Sequence, residues 1–134
     1  MKVEVVPIQW VHRVWDSVEK FIDSAVQHSK GECTLDQVKA YVAQGQWVLL
    51  VATDDEGFQG AATVHFFNRA NDRVALVTTI GGKLISSQDT FRQLKEFVIS
   101  QGATTLEGAA RESIARLWKR YGFEEKYRIV EVKL

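Results

Sequence analysis

Cysteine and proline each occur once in this chain, as Cys33 and Pro7. A single thiol excludes an intramolecular disulfide and a thiolate zinc cluster. His12 and His28 lie too far apart on or near one helix to make a metal pair, so no metal site is expected. Surplus charge is also missing: 17 basic residues balance 17 acidic ones, for a net charge of zero. A strong electrostatic nucleic-acid binder is therefore not expected. Long apolar runs are absent, and none approaches the roughly 20 residues of a membrane span. The opening residues, Met1 to Pro7, lack the apolar core of a signal peptide. There is no repeat, low-complexity tract or linker. These absences together predict a protein of the cytoplasm that does not engage a membrane.

What is present suffices for one core. The 134 residues are 46% hydrophobic, enough for a single domain over 1–134. Val3 to Val6 reads as a short strand ended by Pro7. From Ile8 the apolar residues recur at helical spacing through Val11, Trp15, Val18 and Ile22 to Val26. Thr34-Leu35-Asp36-Gln37 has the form of a capping box, which predicts a second helix to about Ala43. The period then becomes two. Trp47 to Ala52, Gly60 to Phe67 and Arg73 to Thr79 predict a three-strand meander. Gly81-Gly82 predicts a break, and Ser86 or Ser87 the cap of a third helix bearing Phe91, Leu94, Phe97 and Val98 inward. Thr104 to Ala109 reads as a strand, Glu112 to Tyr121 as a short helix, and Tyr127 to Leu134 as a last alternating strand. The order β-α-α-β-β-β-α-β-α-β predicts an α/β protein, a mixed sheet covered by helices.

That order, together with Ile114, Leu117, Trp118, Gly122 and Phe123, resembles the GNAT fold, the Gcn5-related N-acetyltransferase superfamily. GNAT chains end in a strand, a helix of the form Ala-x-x-Leu-Tyr-x-x-x-Gly-Phe, and a closing hairpin. The resemblance is closer to a divergent set of small GNAT-like proteins of tailed phages. Its carriers here are Val14-Trp15, the corner Gly31-Glu32-Cys33-Thr34 to Val38, Gly45 to Val51, Gly81-Gly82 and Glu107-Gly108-Ala109-Ala110-Arg111.

The resemblance implies an acetyl-CoA-dependent N-acyltransferase, or a relative that has lost the chemistry. Its partners would be a CoA thioester and an amine. In the family the cofactor diphosphate sits at the turn Arg/Gln-x-x-Gly-x-Gly/Ala before the third helix. Here that register reads Gly81-Gly82-Lys83-Leu84-Ile85-Ser86. Gly82, Lys83, Ser86 and Ser87 are the implied contacts, through backbone N–H groups at a helix start. The alternative is a plain turn followed by an N-cap. Leu84 stands where the family has a central glycine. Main chain at Val77 and Thr78 would position the thioester. Arg111 would bind an anionic group, or pair with Glu107 or Glu112.

For proton transfer, Trp118 occupies the position of the family's acidic tyrosine, and the nearest phenol is Tyr121. Glu107 is the candidate base for the amine, with a carboxyl raised by apolar neighbours; the alternative is an ion pair with Arg111. His65 is the next candidate, or else a solvated strand position. Two competing functions stay open. One is a phage virion or assembly component that keeps the fold as a scaffold, in the virion or the host cytoplasm and bound to phage structural proteins. The other is a host-interaction protein. A homo-oligomer is compatible with either.

Overall fold

Apolar residues at two periodicities sort onto the two faces of one sheet. In the computed structural model, which describes residues 1–134, the elements are β1 (Lys2–Val6), a 3-10 turn (Ile8–Trp10), α1 (Val11–Val26), α2 (Leu35–Ala43), β2 (Val48–Asp54), β3 (Gly57–Asn68), β4 (Arg73–Gly82), α3 (Gln88–Ser100), β5 (Thr105–Gly108), α4 (Glu112–Trp118) and a 3-10 turn (Lys119–Tyr121). The sheet order is β1-β2-β3-β4-β5. The first three pairings are antiparallel, and α3 carries the chain over to a parallel β4–β5 pairing.

The helical stripe of α1 packs Val11, Trp15, Val18 and Ile22 with Val38 and Val42 of α2 against Leu49, Val51 and Ala61. The other face carries Leu50, Ala52, Ala62, Val64, Ala75 and Val77 against Phe91, Leu94 and Val98 of α3 and Trp118 of α4. β2 is thus buried on both sides, as its unbroken apolar run predicts. The capping box at α2 is present. Gln37 N donates to Thr34 Oγ1 at 3.2 Å and Thr34 N donates to Gln37 Oε1 at 2.9 Å.

Two expectations are corrected. Gly81 and Gly82 do not break β4; they pair with Ala61 and Gly60 as its last residues. Their role is close approach. A Cβ on Gly81 would lie 2.1 Å from the Phe21 carbonyl oxygen of α1, and one on Gly60 would meet the Leu84 nitrogen at 2.7 Å. The chain leaves the sheet only at Gly82, where φ is +68°.

The second correction concerns the closing strand expected over Tyr127 to Leu134. Residues 122–134 belong to no element. Gly122, at φ +93°, ends the last turn, and the final hydrogen bond of the backbone runs from Phe123 N to Trp118 O. The alternation is there, but its backbone makes no ladder hydrogen bond within the chain.

Replacing Gly81 by Ala should lower stability by about 1–3 kcal/mol, because the obstruction is helix backbone and must be pushed away. Urea denaturation measures this, and an unchanged midpoint would show that α1 does not sit on the strand as described.

Candidate functional site

The candidate site lies where β4 bulges against β3 and then loses β5. Opposite β3 the register slips: Thr63 pairs with Thr79 and Val64 with Val77, so Thr78 is an extra, bulged residue. Three hydroxyls hold it. Thr63 Oγ1 lies 2.7 Å from Thr78 Oγ1 and 2.6 Å from Thr79 Oγ1, and Thr78 Oγ1 donates to Thr63 O at 3.1 Å. On the other side, β5 follows β4 only from the Val74–Thr105 rung to the Val77–Gly108 rung. β4 continues to Gly82. Beyond Val77 the two parallel strands part, and a wedge opens beside the bulge.

Trp118 fills the α3/α4 side of this wedge. It is 5% exposed, and a Cβ on Gly108 would lie 2.8 Å from its ring. Leu84 is wholly buried in the same cluster. Tyr121 lies on this side too, half-buried, with its ring 5.2 Å from Phe91. Between α3 and the last turn a groove of about 640 Å³ carries Phe91, Arg92, Lys95, Arg120 and Tyr121 on its walls.

Alternation places His65, Leu76 and Glu107 in one rung across β3, β4 and β5, on the opposite face. Two of the three sequence-derived catalytic candidates therefore share a rung and a face, separated by Leu76 of the intervening strand, while Tyr121 stands across the sheet from them. His65 Nδ1 is 3.4 Å from Gln46 O, and its ring stacks on Phe67 at 5.4 Å. Thr105 Oγ1, two residues before Glu107, is buried without a hydrogen-bond partner.

Glu107 departs from expectation. Its carboxylate accepts a hydrogen bond from Arg69, in the β3–β4 connection, and stands 3.5 Å from Lys126 Nζ. The Arg69 hydrogen bond, helped by the Arg69 and Lys126 charges, outweighs burial and holds the carboxyl below its ordinary range. The raised value expected of a general base is thus corrected, and so is the partner, which is Arg69 rather than Arg111. Arg111 is exposed at the start of α4 and makes no side-chain cap.

The turn after β4 is also already bonded. Lys83 N donates to Gln59 O at 2.9 Å, and Ser86 Oγ to Lys83 O at 2.8 Å. Ser86 N and Ser87 N both donate to Thr90 Oγ1 at 3.2 Å, while Thr90 N donates to Ser87 Oγ at 3.2 Å. Thr90 is 1% exposed. Of the N–H groups that the resemblance assigns to a diphosphate, those of Ser86 and Ser87 are occupied by a side chain of the following helix and that of Lys83 by a carbonyl of β3. Asp89 in the first turn adds a negative charge, paired with Arg92 at 2.6 Å. The diphosphate of CoA therefore does not fit this turn in its present form. On the β5 side the arrangement is different: beyond Val77, β4 has β3 as its only neighbouring strand. Sequence reasoning missed Thr90, although Ser87-x-x-Thr90 has capping-box spacing. It also missed the Thr63, Thr78 and Thr79 cluster, which exists only because of the bulge.

No family model and no curated protein matches the chain. Solved structures do. An aminoglycoside acetyltransferase, meta-AAC0020 from an uncultured soil metagenomic sample, in complex with sisomicin, aligns with a TM-score of 0.71 at 11% identity, over 99% of this chain and 95% of that one. A ribosomal-protein-alanine N-acetyltransferase from Brucella melitensis biovar Abortus 2308 aligns with a TM-score of 0.68 at 11% identity, over the whole of both chains. A predicted acetyltransferase from Clostridium acetobutylicum, crystallised with acetyl-CoA, gives 0.64 at 12% identity, over 98% and 95%. The chain has the fold of GNAT acetyltransferases.

The ion pair at Glu107 has a signed consequence for stability. A carboxyl depressed in the folded state stabilises above its unfolded pKa, about 4.3 for glutamate, and that contribution is lost as pH falls through the folded value. Glu107→Gln should lower the urea midpoint at pH 7, and its deficit should close below about pH 4. A deficit that persists unchanged into acid would mean that the carboxylate charge contributes nothing.

Proposed function

We propose that this chain is an acyl-CoA-dependent N-acyltransferase, with the wedge between β4 and β5 as its thioester site. The observation that carries the reading is the bulge at Thr78 directly beside the point where β5 ends. Backbone at Val77 and Thr78 lies where the β4–β5 ladder ends, with Thr78 held by hydrogen bonds to Thr63. Such preorganised backbone is what an acyl carbonyl requires. Acyl-CoA, when bound, supplies a thioester whose acyl group passes to an amine with release of the thiol.

The chain's own groups divide the remaining work by face. The amine enters over the His65–Leu76–Glu107 rung. Glu107, ionised and paired with Arg69, orients an incoming amine by accepting a hydrogen bond from it rather than by taking its proton. His65 or a water receives that proton. Tyr121, on the other side of the wedge beside Trp118, or a water, delivers a proton to the leaving sulfur. At the cofactor end, Gly82, Lys83, Ser86 and Ser87 are the proposed diphosphate contacts, with Arg111 near the thioester arm. Binding there requires Thr90 to release the Ser86 and Ser87 N–H groups. The acceptor class follows the neighbours only as far as "amine".

A second reading is favoured by Trp118 and Leu84, both buried where a cofactor arm would lie. In that reading the chain is a non-catalytic relative, a phage virion or assembly component, with the groove filled as part of the core.

Titration calorimetry with acetyl-CoA separates the two. The acyltransferase reading expects saturable binding to the wild-type chain, weakened about tenfold or more when Lys83 is replaced by Ala and a charge-assisted phosphate contact is lost. Absence of heat at millimolar cofactor would overturn it and leave the scaffold.

A further inference from the structure

We propose that the amine accepted over the His65–Leu76–Glu107 rung is that of a free α-amino acid with an aromatic side chain. The inference rests on the acyltransferase reading and names the substrate class of the same site.

Helices pack on both faces of the sheet. Even the outer edge of β1 is clamped by a side chain of α3: Val3 N donates to Gln93 Oε1 at 2.8 Å, and Gln93 Nε2 donates to Met1 O at 3.0 Å. The rung is different. His65, Phe67 and Leu76 are only half-buried, and neither Phe67 nor Leu76 joins either apolar core. Apolar surface left open beside reacting groups is a place for an apolar part of the substrate. Leu76 is its floor. One wall is the stacked His65–Phe67 pair. The other is the Arg69 guanidinium, which passes over the Phe67 ring at 5.1 Å on its way to Glu107.

The polar end is specific in charge. Arg69 and Lys126 both meet Glu107 through Oε2, so Oε1 is free to accept a hydrogen bond. Two cations against one carboxylate leave one positive charge over. The Lys126 side chain is 57% exposed, and an ammonium has three N–H donors. An α-amino acid matches both features from a single carbon: its amine donates to Glu107 Oε1 while its carboxylate meets Lys126. A diamine would instead bring a second cation against Arg69 and Lys126. His65 and Glu107 lie two strand spacings apart, about 10 Å. A methyl side chain leaves most of that span uncovered. An aromatic ring on a one-carbon link lies over Leu76 and reaches the His65–Phe67 pair, where ring contacts favour it.

The test follows thiol release from acetyl-CoA by the full-length chain with four acceptors: L-phenylalanine, phenethylamine, L-alanine and the diamine putrescine. L-Phenylalanine should have the highest kcat/KM. Its lead should be about tenfold or more over phenethylamine, which lacks the carboxylate, and over L-alanine, which lacks the ring. Lys126→Gln should cut the preference for L-phenylalanine over phenethylamine by about tenfold. Phe67→Ala should cut the preference over L-alanine by a similar factor, chiefly through KM, and Phe67→Tyr should keep it. A merely structural role for either residue would slow all four acceptors alike and leave the preferences in place, which overturns the inference. Faster transfer to putrescine, phenethylamine or L-alanine overturns it while the acyltransferase reading stands. Thiol release with none of the four, although acetyl-CoA binds, overturns the inference alone; failure to bind acetyl-CoA overturns both.

Discussion

Four rungs join β5 to the rest of the sheet, and that brevity governs what surrounds it. Because β5 stops at Gly108 while β4 runs on to Gly82, a wedge exists for Trp118 to fill. Because the rung at Val77 is the last, the bulged Thr78 has β3 beside it but no β5 partner. A longer β5 would close the wedge with ordinary ladder hydrogen bonds and leave no site. On the β3 side, hydroxyls of Thr63, Thr78 and Thr79 bind one another at the bulge.

The two faces of the sheet consequently have different electrical characters. One is an apolar cluster of aromatic rings, Phe91, Trp118, Tyr121 and Phe123, in mutual contact. The other carries Glu107 with its two cations and His65 on aromatic Phe67. A reaction that crosses the sheet between them would bring a polar nucleophile from one side and an apolar thioester arm from the other.

The sequence made periodic features legible and pairings opaque. Helix α1 was readable because Trp15, Val18 and Ile22 repeat at 3.6 residues, and α2 because Thr34 and Gln37 stand three apart. Local rules of that kind act within a few residues. The bulge at Thr78 depends on register between strands some 15 residues apart, and no spacing within β4 signals it. Glu107 was read against Arg111, its sequence neighbour, yet its partner Arg69 lies 38 residues away. Gly81 and Gly82 were legible as special positions but not in purpose, since the backbone that Gly81 admits belongs to α1 and that which Gly82 admits to β3. The tail after Gly122 shows the converse failure: alternation specifies a strand's faces, not whether a neighbour exists.

The Gln93 clamp also orders events in time. It joins α3 to the first residues of the chain across a separation of 90 and 92 positions. A contact so distant in sequence forms late, after the loop-closure entropy of everything between has been met. During synthesis β1 can lie against β2 once the meander has emerged, yet its outer edge stays unguarded until α3 follows. The interval between those two events is when a nascent chain is most open to pairing with the wrong neighbour. The glutamine that ends it comes from a helix whose main occupation is the opposite side of the core.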